Sequence, residues 1–162
     1  MILVDGHELR RNSIIELCVL PDMMVHRIMA GIGRQVANAV FVDTVGNLRF
    51  VTDAIYVLSY RKLVKTLLSL RSRQGFVLFI DSMTFIADKQ VSDAQKIYNV
   101  LWELVYGSDA TVIVSNHYKV QQGKLVPRLG VRWEMMASYR VMFRHTKGNT
   151  VSSVHTNELF EQ

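Results

Sequence analysis

The sequence predicts an α/β domain with a mostly parallel sheet flanked by helices and a C-terminal antiparallel hairpin. Short apolar segments alternate with longer amphipathic ones along most of the chain, a pattern typical of strands joined by crossover helices. Near the C-terminus, two strand-like segments flank a short glycine-containing turn. The 162 residues, 49% apolar and 20% charged, are enough to bury one core. We therefore expect one domain spanning residues 1–162.

Four apolar segments are predicted to form parallel strands. They are residues 13–19 (SIIELCV), 39–43 (AVFVD), 76–81 (FVLFID) and 111–115 (TVIVS). The hairpin is predicted from residues 137–145 (ASYRVMFRH) and 150–156 (TVSSVHT), which flank the turn residues TKGN. Apolar and polar residues alternate along the first of these two segments, so we expect a strand at one sheet edge with one wetter face.

The first two connecting segments carry helix signals. Pro21 suits the first turn of a helix whose apolar residues, from Met24 to Val36, recur every four residues. A second helix is predicted over residues 54–73. The residues expected to face inward are Ile55, Leu58, Leu63, Leu67 and Leu70, and those expected to face outward are Arg61, Lys62, Lys65, Arg71 and Arg73.

A third helix and a basic segment complete the chain. Ser92 and Gln95 have the spacing of a capping box, and Gly107 is predicted to stop that helix in the left-handed conformation. Residues 117–132 (HYKVQQGKLVPRLGVR) are polar, basic and irregular, which predicts an exposed loop.

The bulk composition limits the classes of function. The net charge is +5 and the isoelectric point is near 9.5, which favours contact with polyanions such as nucleic acid. Cys18 is the single cysteine, so no internal disulfide forms. The sequence contains neither a signal peptide nor an apolar run near the ~18 residues of a membrane span. We expect the cytosol or nucleus, and no membrane partner.

In a parallel α/β sheet the carboxyl ends of the strands line a ligand crevice, and Asp43, Asp81 and Asn116 fall there. A nucleotide site in this place needs a phosphate-binding loop with glycines, a lysine, and a serine or threonine for magnesium. Residues 19–26 (VLPDMMVH) contain no glycine or lysine, and Asp22 repels phosphate.

Several positions therefore count as lost nucleotide-motif residues. They are Val19, Met24, Val25 and His26 in this loop, and Val45, which stands where a hydrolase needs a carboxylate to activate water. Asp81 is retained, with two readings: it holds a magnesium-bound water, or it is a structural acid that caps the next turn or pairs with a neighbour. We expect no enzymatic activity and no cofactor.

The order of these segments resembles the ATPase core of the RecA/RadA-type strand-exchange recombinases, especially their eukaryotic paralogues and most of all the D-type paralogue. The resemblance runs through nearly the whole chain. Its segments are DGHELRRNSIIELCV, FVDTVGNLR, FVLFIDSMT, VIVSNHY and PRLGVRWEMMASYRVMFRH. It implies a RecA-like P-loop NTPase core in a degenerate, pseudo-ATPase form, whose nucleotide site retains only Asp81, Ser82 and His117. At His117, active relatives place a polar residue that senses the terminal phosphate; a structural histidine is the alternative.

The resemblance also carries expectations about partners. Only about a dozen residues precede the first strand, so we expect neither the family's N-terminal domain nor its polymerisation linker. Such a chain does not form filaments alone and pairs with another recombinase paralogue. Two family loops contact single-stranded DNA: the first corresponds to residues 83–93 and is poor in cations, and the second corresponds to the basic segment.

In that second loop, Lys119, Lys124 and Arg128 are candidates to meet phosphates and Tyr118 to stack against a base, with a solvated basic loop as the alternative. The predicted function is that of a non-catalytic nuclear subunit. It pairs with a paralogue and remodels or stabilises recombinase filaments on single-stranded DNA during homologous recombination. The alternatives are an unorthodox ATP-binding subunit that completes a composite site, and a plain α/β regulatory domain that uses Asp43 as a switch.

Overall fold

The computed structural model describes residues 1–50, 52–84, 91–128 and 135–157, with the side chains of residues 50 and 91–94 not described. Within these residues, ten strands form a small hairpin and an eight-stranded sheet. The strands are β1 (Ile2–Val4), β2 (His7–Leu9), β3 (Ile14–Val19), β4 (Ala39–Asp43), β5 (Ile55–Tyr56), β6 (Val77–Asp81), β7 (Thr111–Gln121), β8 (Lys124–Pro127), β9 (Tyr139–Thr146) and β10 (Asn149–Thr156).

The large sheet has the order β10-β9-β3-β7-β6-β4-β5, and β8 pairs with the end of β7. All neighbours from β9 to β5 are parallel, whereas β9–β10 and β7–β8 are antiparallel hairpins. This arrangement confirms the predicted mostly parallel sheet with a C-terminal antiparallel hairpin at its edge. The four parallel strands lie within the predicted segments, apart from β7, which continues six residues beyond Ser115 to Gln121.

Within the described residues, three α-helices cover the two faces of the sheet: α1 (Val25–Gly33), α2 (Tyr60–Ser69) and α3 (Val91–Gly107). Short 3-10 helices cover Leu48–Phe50 and Leu70–Ser72. Because side chains alternate along a strand, Leu78 and Ile80 of β6 join the core under α2 and α3, whereas Val77 and Phe79 join the core under α1 and the β1–β2 hairpin.

The predicted helix over 54–73 is wrong in its first turn. Ile55–Tyr56 instead forms β5, which extends the sheet beyond β4, and α2 begins after Ser59, whose Oγ accepts a hydrogen bond from Lys62 N at 3.2 Å. Ile55 and Leu58, which periodicity places inward, are exposed. Strand pairing and the serine cap outweigh the apolar period here.

Three other predictions need correction. Helix α1 begins at Val25, not in the turn after Pro21, because Asp22 takes a left-handed conformation with φ of 73°. Gly107 is the last helical residue and Asp109 makes the left-handed stop, with φ of 50°. Ser92 is the second residue of α3, so it does not precede the helix as the predicted capping box requires. Its side chain is outside the described part of the structure.

The predicted loop over 117–132 is also wrong for its described part. Residues Thr111–Gln121 and Lys124–Pro127 pair as an antiparallel hairpin through a turn at Gln122 and Gly123, both with positive φ. Gln122 and Gly123 adopt the positive φ angles of a tight turn, and the apolar residues Val120, Leu125 and Val126 flank this turn. The hairpin therefore forms although the segment is largely polar. Residues 129–134, including Trp133, lie outside the described residues.

Gly33 ends α1 against the ring of Phe41 in β4. A Cβ atom at Gly33 overlaps Phe41 Cζ, and the Phe41 ring is stacked on Phe79 with centroids 4.6 Å apart. The ring is therefore held from its other side and has little room to withdraw.

We expect Gly33→Ala to destabilise the fold by about 1–3 kcal/mol, because the added methyl overpacks this contact. Gly31→Ala is the matched control: its Cβ meets only Arg34 Nη2 at 3.7 Å, so it should stabilise the helix by up to about 1 kcal/mol. Urea unfolding of both variants measures the difference. Equal effects of the two substitutions contradict the close approach of α1 to the sheet.

Candidate site at the carboxyl ends of the parallel strands

The parallel strands end together at a cleft of about 520 Å³. The cleft is lined by Val19, Met23, Val25, Thr44, Val45, Asn47, Asp81 and His117. These residues come from the ends of β3 and β6, from β7, from the loop after β4, and from the loop before α1 together with the first residue of that helix. The sequence-predicted crevice is therefore present, and Val19, Val25, Val45, Asp81 and His117 meet in it.

Asp43 is fully buried beneath the cleft, and its carboxylate is hydrogen-bonded to the backbone of the loop that follows it. Its carboxylate accepts hydrogen bonds from the backbone N–H groups of Val45 (3.1 Å), Gly46 (2.8 Å) and Arg49 (3.4 Å). A carboxylate held by three backbone donors stabilises the loop after β4. This is a structural role, and it argues against Asp43 as an exposed switch.

Asp81 lies directly opposite Asp43 on the neighbouring strand and is 1% exposed. Its Oδ1 accepts a hydrogen bond from Ser115 Oγ at 2.7 Å, whereas Oδ2 has no hydrogen-bond partner among the described residues. Burial raises the pKa of the Asp81 carboxyl; the bond from Ser115 lowers it, the Asp43 carboxylate raises it again, and His26 lowers it. Asp81 therefore pairs with a neighbour, Ser115, as one of its two predicted roles requires, but it does so only through Oδ1.

Ser82 takes part in a hydroxyl network that joins the strand ends below the cleft. The peptide bond between Asp81 and Ser82 is cis. Ser82 N donates to Thr44 Oγ1 at 2.7 Å, and Thr44 Oγ1 donates to Ser82 O at 2.6 Å. Ser82 Oγ accepts from Thr84 N at 3.2 Å, and Thr84 Oγ1 accepts from His117 N at 2.8 Å. Ser82 is thus buried and does not line the cleft.

The loop before α1 does not form a phosphate cradle. Its chain turns through a bond from Met23 N to Leu20 O at 3.4 Å, and α1 begins at Val25 without a side-chain cap. Met23 and Val25 present apolar side chains to the cleft, and Met24 is 54% exposed. Among the lining residues that the structure describes, none is a lysine or an arginine. The residues present therefore do not fit a magnesium triphosphate.

The two histidines near Asp81 have different positions. His26 lies in the first turn of α1 and is half-buried. Burial, and next the charge of Arg128, lowers the pKa of His117, so its imidazole is neutral near pH 7. A neutral His117 brings no positive charge to a terminal phosphate, and its backbone N–H serves the hydroxyl network.

The β7–β8 hairpin projects beside the cleft as a basic arm. Lys119 lies opposite Val126 and Gln121 lies opposite Lys124, so the two lysines share one face of the hairpin. Lys119, Lys124 and Arg128 are exposed, which leaves all three available to phosphates.

Tyr118, which the sequence offered for stacking against a base, is on the other face. It is 2% exposed, and its hydroxyl donates to Glu16 Oε1 at 2.6 Å. Burial and then Glu16 raise the pKa of this hydroxyl well above its ordinary value. The stacking prediction is therefore wrong, because the ring belongs to the core.

Sequence reasoning missed Glu16, Thr44 and Ser115, which support this region from within. Glu16 is fully buried in β3. Its charge in the middle of the apolar segment SIIELCV was a visible signal, since a buried carboxylate requires a partner. The small hydroxyl residues gave no comparable signal.

In comparisons with known proteins, no protein-family model matches this chain and no curated protein matches its sequence. Among the described residues, no three histidine, cysteine or acidic side chains are grouped so as to hold a metal ion. In the same part of the chain, every helix is too short or too polar to cross a bilayer.

The unpaired oxygen of Asp81 generates a pH-dependent prediction. Its pKa is raised in the folded state, so the folded state binds this proton more tightly than the unfolded state, and stability falls as pH rises from about 4, the ordinary aspartate value. Asp81→Asn removes this dependence. The unfolding free energy of the variant relative to that of the wild type should increase as pH rises from about 4 through the raised folded-state pKa of Asp81.

Urea unfolding across pH 4 to 8 measures this, with Asp53→Asn as the control because Asp53 is exposed. The control should track the wild type. A difference between Asp81→Asn and wild type that shrinks with rising pH contradicts the burial of this charge.

Proposed function

We propose that this chain is a RecA-like, non-catalytic recombinase paralogue subunit of the nucleus. It pairs with another paralogue and remodels or stabilises recombinase filaments on single-stranded DNA during homologous recombination. The observation that carries the proposal is the juxtaposition of two features: a cleft whose described lining lacks phosphate-binding groups, and an exposed basic arm beside it. An ATPase core with this combination can still contact polyanions but lacks the groups that hold a nucleotide.

Pairing is supported by β5, which is an edge strand of the sheet within the described residues. Ile55, Tyr56 and Leu58 are 43%, 39% and 70% exposed. Val57 N donates to Asp43 O at 2.8 Å, so the alternate residues Tyr56 and Leu58 direct their backbone groups away from β4. An edge with exposed apolar side chains and outward backbone groups is suited to receive a strand from another chain.

The alternatives make different predictions about nucleotide. A subunit that completes a composite site from the opposite face requires a partner that brings the phosphate loop. An NTPase that grips ATP through Asp81 and Ser82 binds it alone, and micromolar binding of magnesium ATP by the isolated chain in calorimetry favours that reading. For a plain regulatory domain, Asp43 would need to be accessible, and it is buried and bonded to backbone.

The first test concerns the partner. Affinity purification of the tagged chain from its native cell should recover a second RecA-like subunit in a one-to-one complex, identified by mass spectrometry. Leu58→Asp should weaken this complex, because it places a charge on the open edge. Recovery of the chain alone, or turnover of ATP by the purified lone chain, refutes the proposal.

The second test concerns DNA. Lys119→Ala with Lys124→Ala should weaken binding of the complex to single-stranded DNA and lower the salt slope by about 0.7 for each cation that meets a phosphate. Lys62→Ala with Lys65→Ala removes the same charge from the exposed face of α2 and serves as the control. Fluorescence anisotropy at several salt concentrations measures both. Equal losses in the two double variants would mean that the basic arm has no special role.

A further inference from the structure

The cleft at the strand ends has the opposite electrostatic character from a nucleotide site. Asp81 is at its base, and a second carboxylate, Asp43, lies beneath it. The described part of the lining contains no lysine or arginine to offset them, and His117 is neutral near pH 7. A ligand with negative charge is disfavoured here, whereas a cation gains from both carboxylates.

The walls of the cleft define the rest of the ligand. Val19, Met23, Val25 and Val45 form apolar walls, and Thr44 and Asn47 add neutral polar groups. The volume of about 520 Å³ falls within the range of roughly 300–1,000 Å³ that is usual for ligand sites. An apolar stem that ends in a positive group matches these surroundings, because the stem packs on the walls while the charge approaches Asp81.

Asp81 provides an independent sign that a donor is missing. Its Oδ2 is buried and has no partner among the described residues, although buried polar atoms are nearly always hydrogen-bonded. Oδ1 is already held by Ser115, so the carboxylate is fixed in orientation. Oδ2 is closed to solvent in this structure, so a donor reaches it once the side chains over it shift. Such a donor would satisfy the oxygen and offset the cost of burying its charge.

We propose that this cleft is a receptor for the side chain of an arginine presented by a partner polypeptide, with the guanidinium on Asp81 Oδ2 and the stem between the valines and Met23. Arginine is favoured over lysine because the guanidinium is less strongly hydrated and loses less on entering an apolar site. The inference deepens the proposed function and rests on it only for the source of the arginine.

The isolated chain tests the preference of the cleft directly. The probe is N-acetyl-arginine amide, and the matched probe is N-acetyl-citrulline amide, which has nearly the same shape but no charge. Methyl NMR spectra should show shifts at Val19, Met23, Val25 and Val45 with the arginine probe, and affinity for the citrulline probe should be at least ~10-fold weaker. Equal affinity for both probes, or no shift at these methyls, overturns the inference.

Two variants assign the binding to Asp81. Asp81→Asn keeps the shape and an oxygen for Ser115, and it should remove the preference for arginine over citrulline. Asp53→Asn removes an exposed charge elsewhere and should leave the preference unchanged. Val45→Lys places a tethered ammonium in the cleft and should block the probe even if Asp81→Asn folds poorly. Retention of the preference in a folded Asp81→Asn or Val45→Lys chain overturns the inference.

The pH dependence of binding gives a second readout. The arginine probe should bind more tightly as pH rises, since it requires the ionised form of Asp81, and the citrulline probe should not. Among the described residues, the other titratable groups around this carboxylate are Asp43, His26 and His117. Affinity for the arginine probe that falls with rising pH contradicts the assignment.

The affinity of the heteromer distinguishes this inference from the proposal that the chain pairs with another paralogue. Asp81→Asn should weaken the heteromer at least ~10-fold if a partner's arginine enters the cleft. A heteromer whose affinity is unchanged by Asp81→Asn overturns the assignment to the partner. A chain that binds the arginine probe but has no companion refutes pairing and supports the cation preference of the cleft.

Discussion

Parallel pairing of β3, β7, β6 and β4 is the constraint on which the rest of this structure depends. Parallel strands point their carboxyl ends in one direction, so the residues that follow each strand meet at one edge of the sheet. The register places Asp43 opposite Asp81 and aligns Cys18 with Asn116. Every feature of the candidate site, from the buried carboxylates to the basic arm that continues β7, follows from this alignment.

The two carboxylates at the strand ends show how local bonding decides the chemistry of identical groups. Asp43 is held by three backbone donors of its own turn, which fixes the loop after β4. Asp81 accepts one hydrogen bond, from a serine, and its other oxygen has no partner among the described residues. Burial raises the pKa of Asp81 because this single bond does not offset the loss of solvation. One acid is therefore a structural cap, and the other retains an unmet requirement for a donor.

The same edge separates two charge environments within a short stretch of chain. Inside the cleft, apolar walls and acidic groups exclude phosphate, whereas the exposed face of the β7–β8 hairpin carries lysines. His117 lies between them, and Arg128 of the hairpin helps to keep its imidazole neutral. Contact with polyanions and reception of a cation are thus compatible in one molecule, because the two surfaces face different surroundings.

The sequence by itself determined the class of sheet, the four parallel strands, the C-terminal hairpin and the absence of a phosphate-binding loop. These depend on apolar runs, turn residues and missing residue types, which are local properties. Only the tertiary structure decided that residues 55–56 extend the sheet, that Tyr118 lies in the core against Glu16, and that the basic segment is a hairpin. It also decided which carboxylate oxygen lacks a donor. Such features depend on which strand lies beside which, and a residue's neighbours across a sheet are separated from it by tens of positions along the chain.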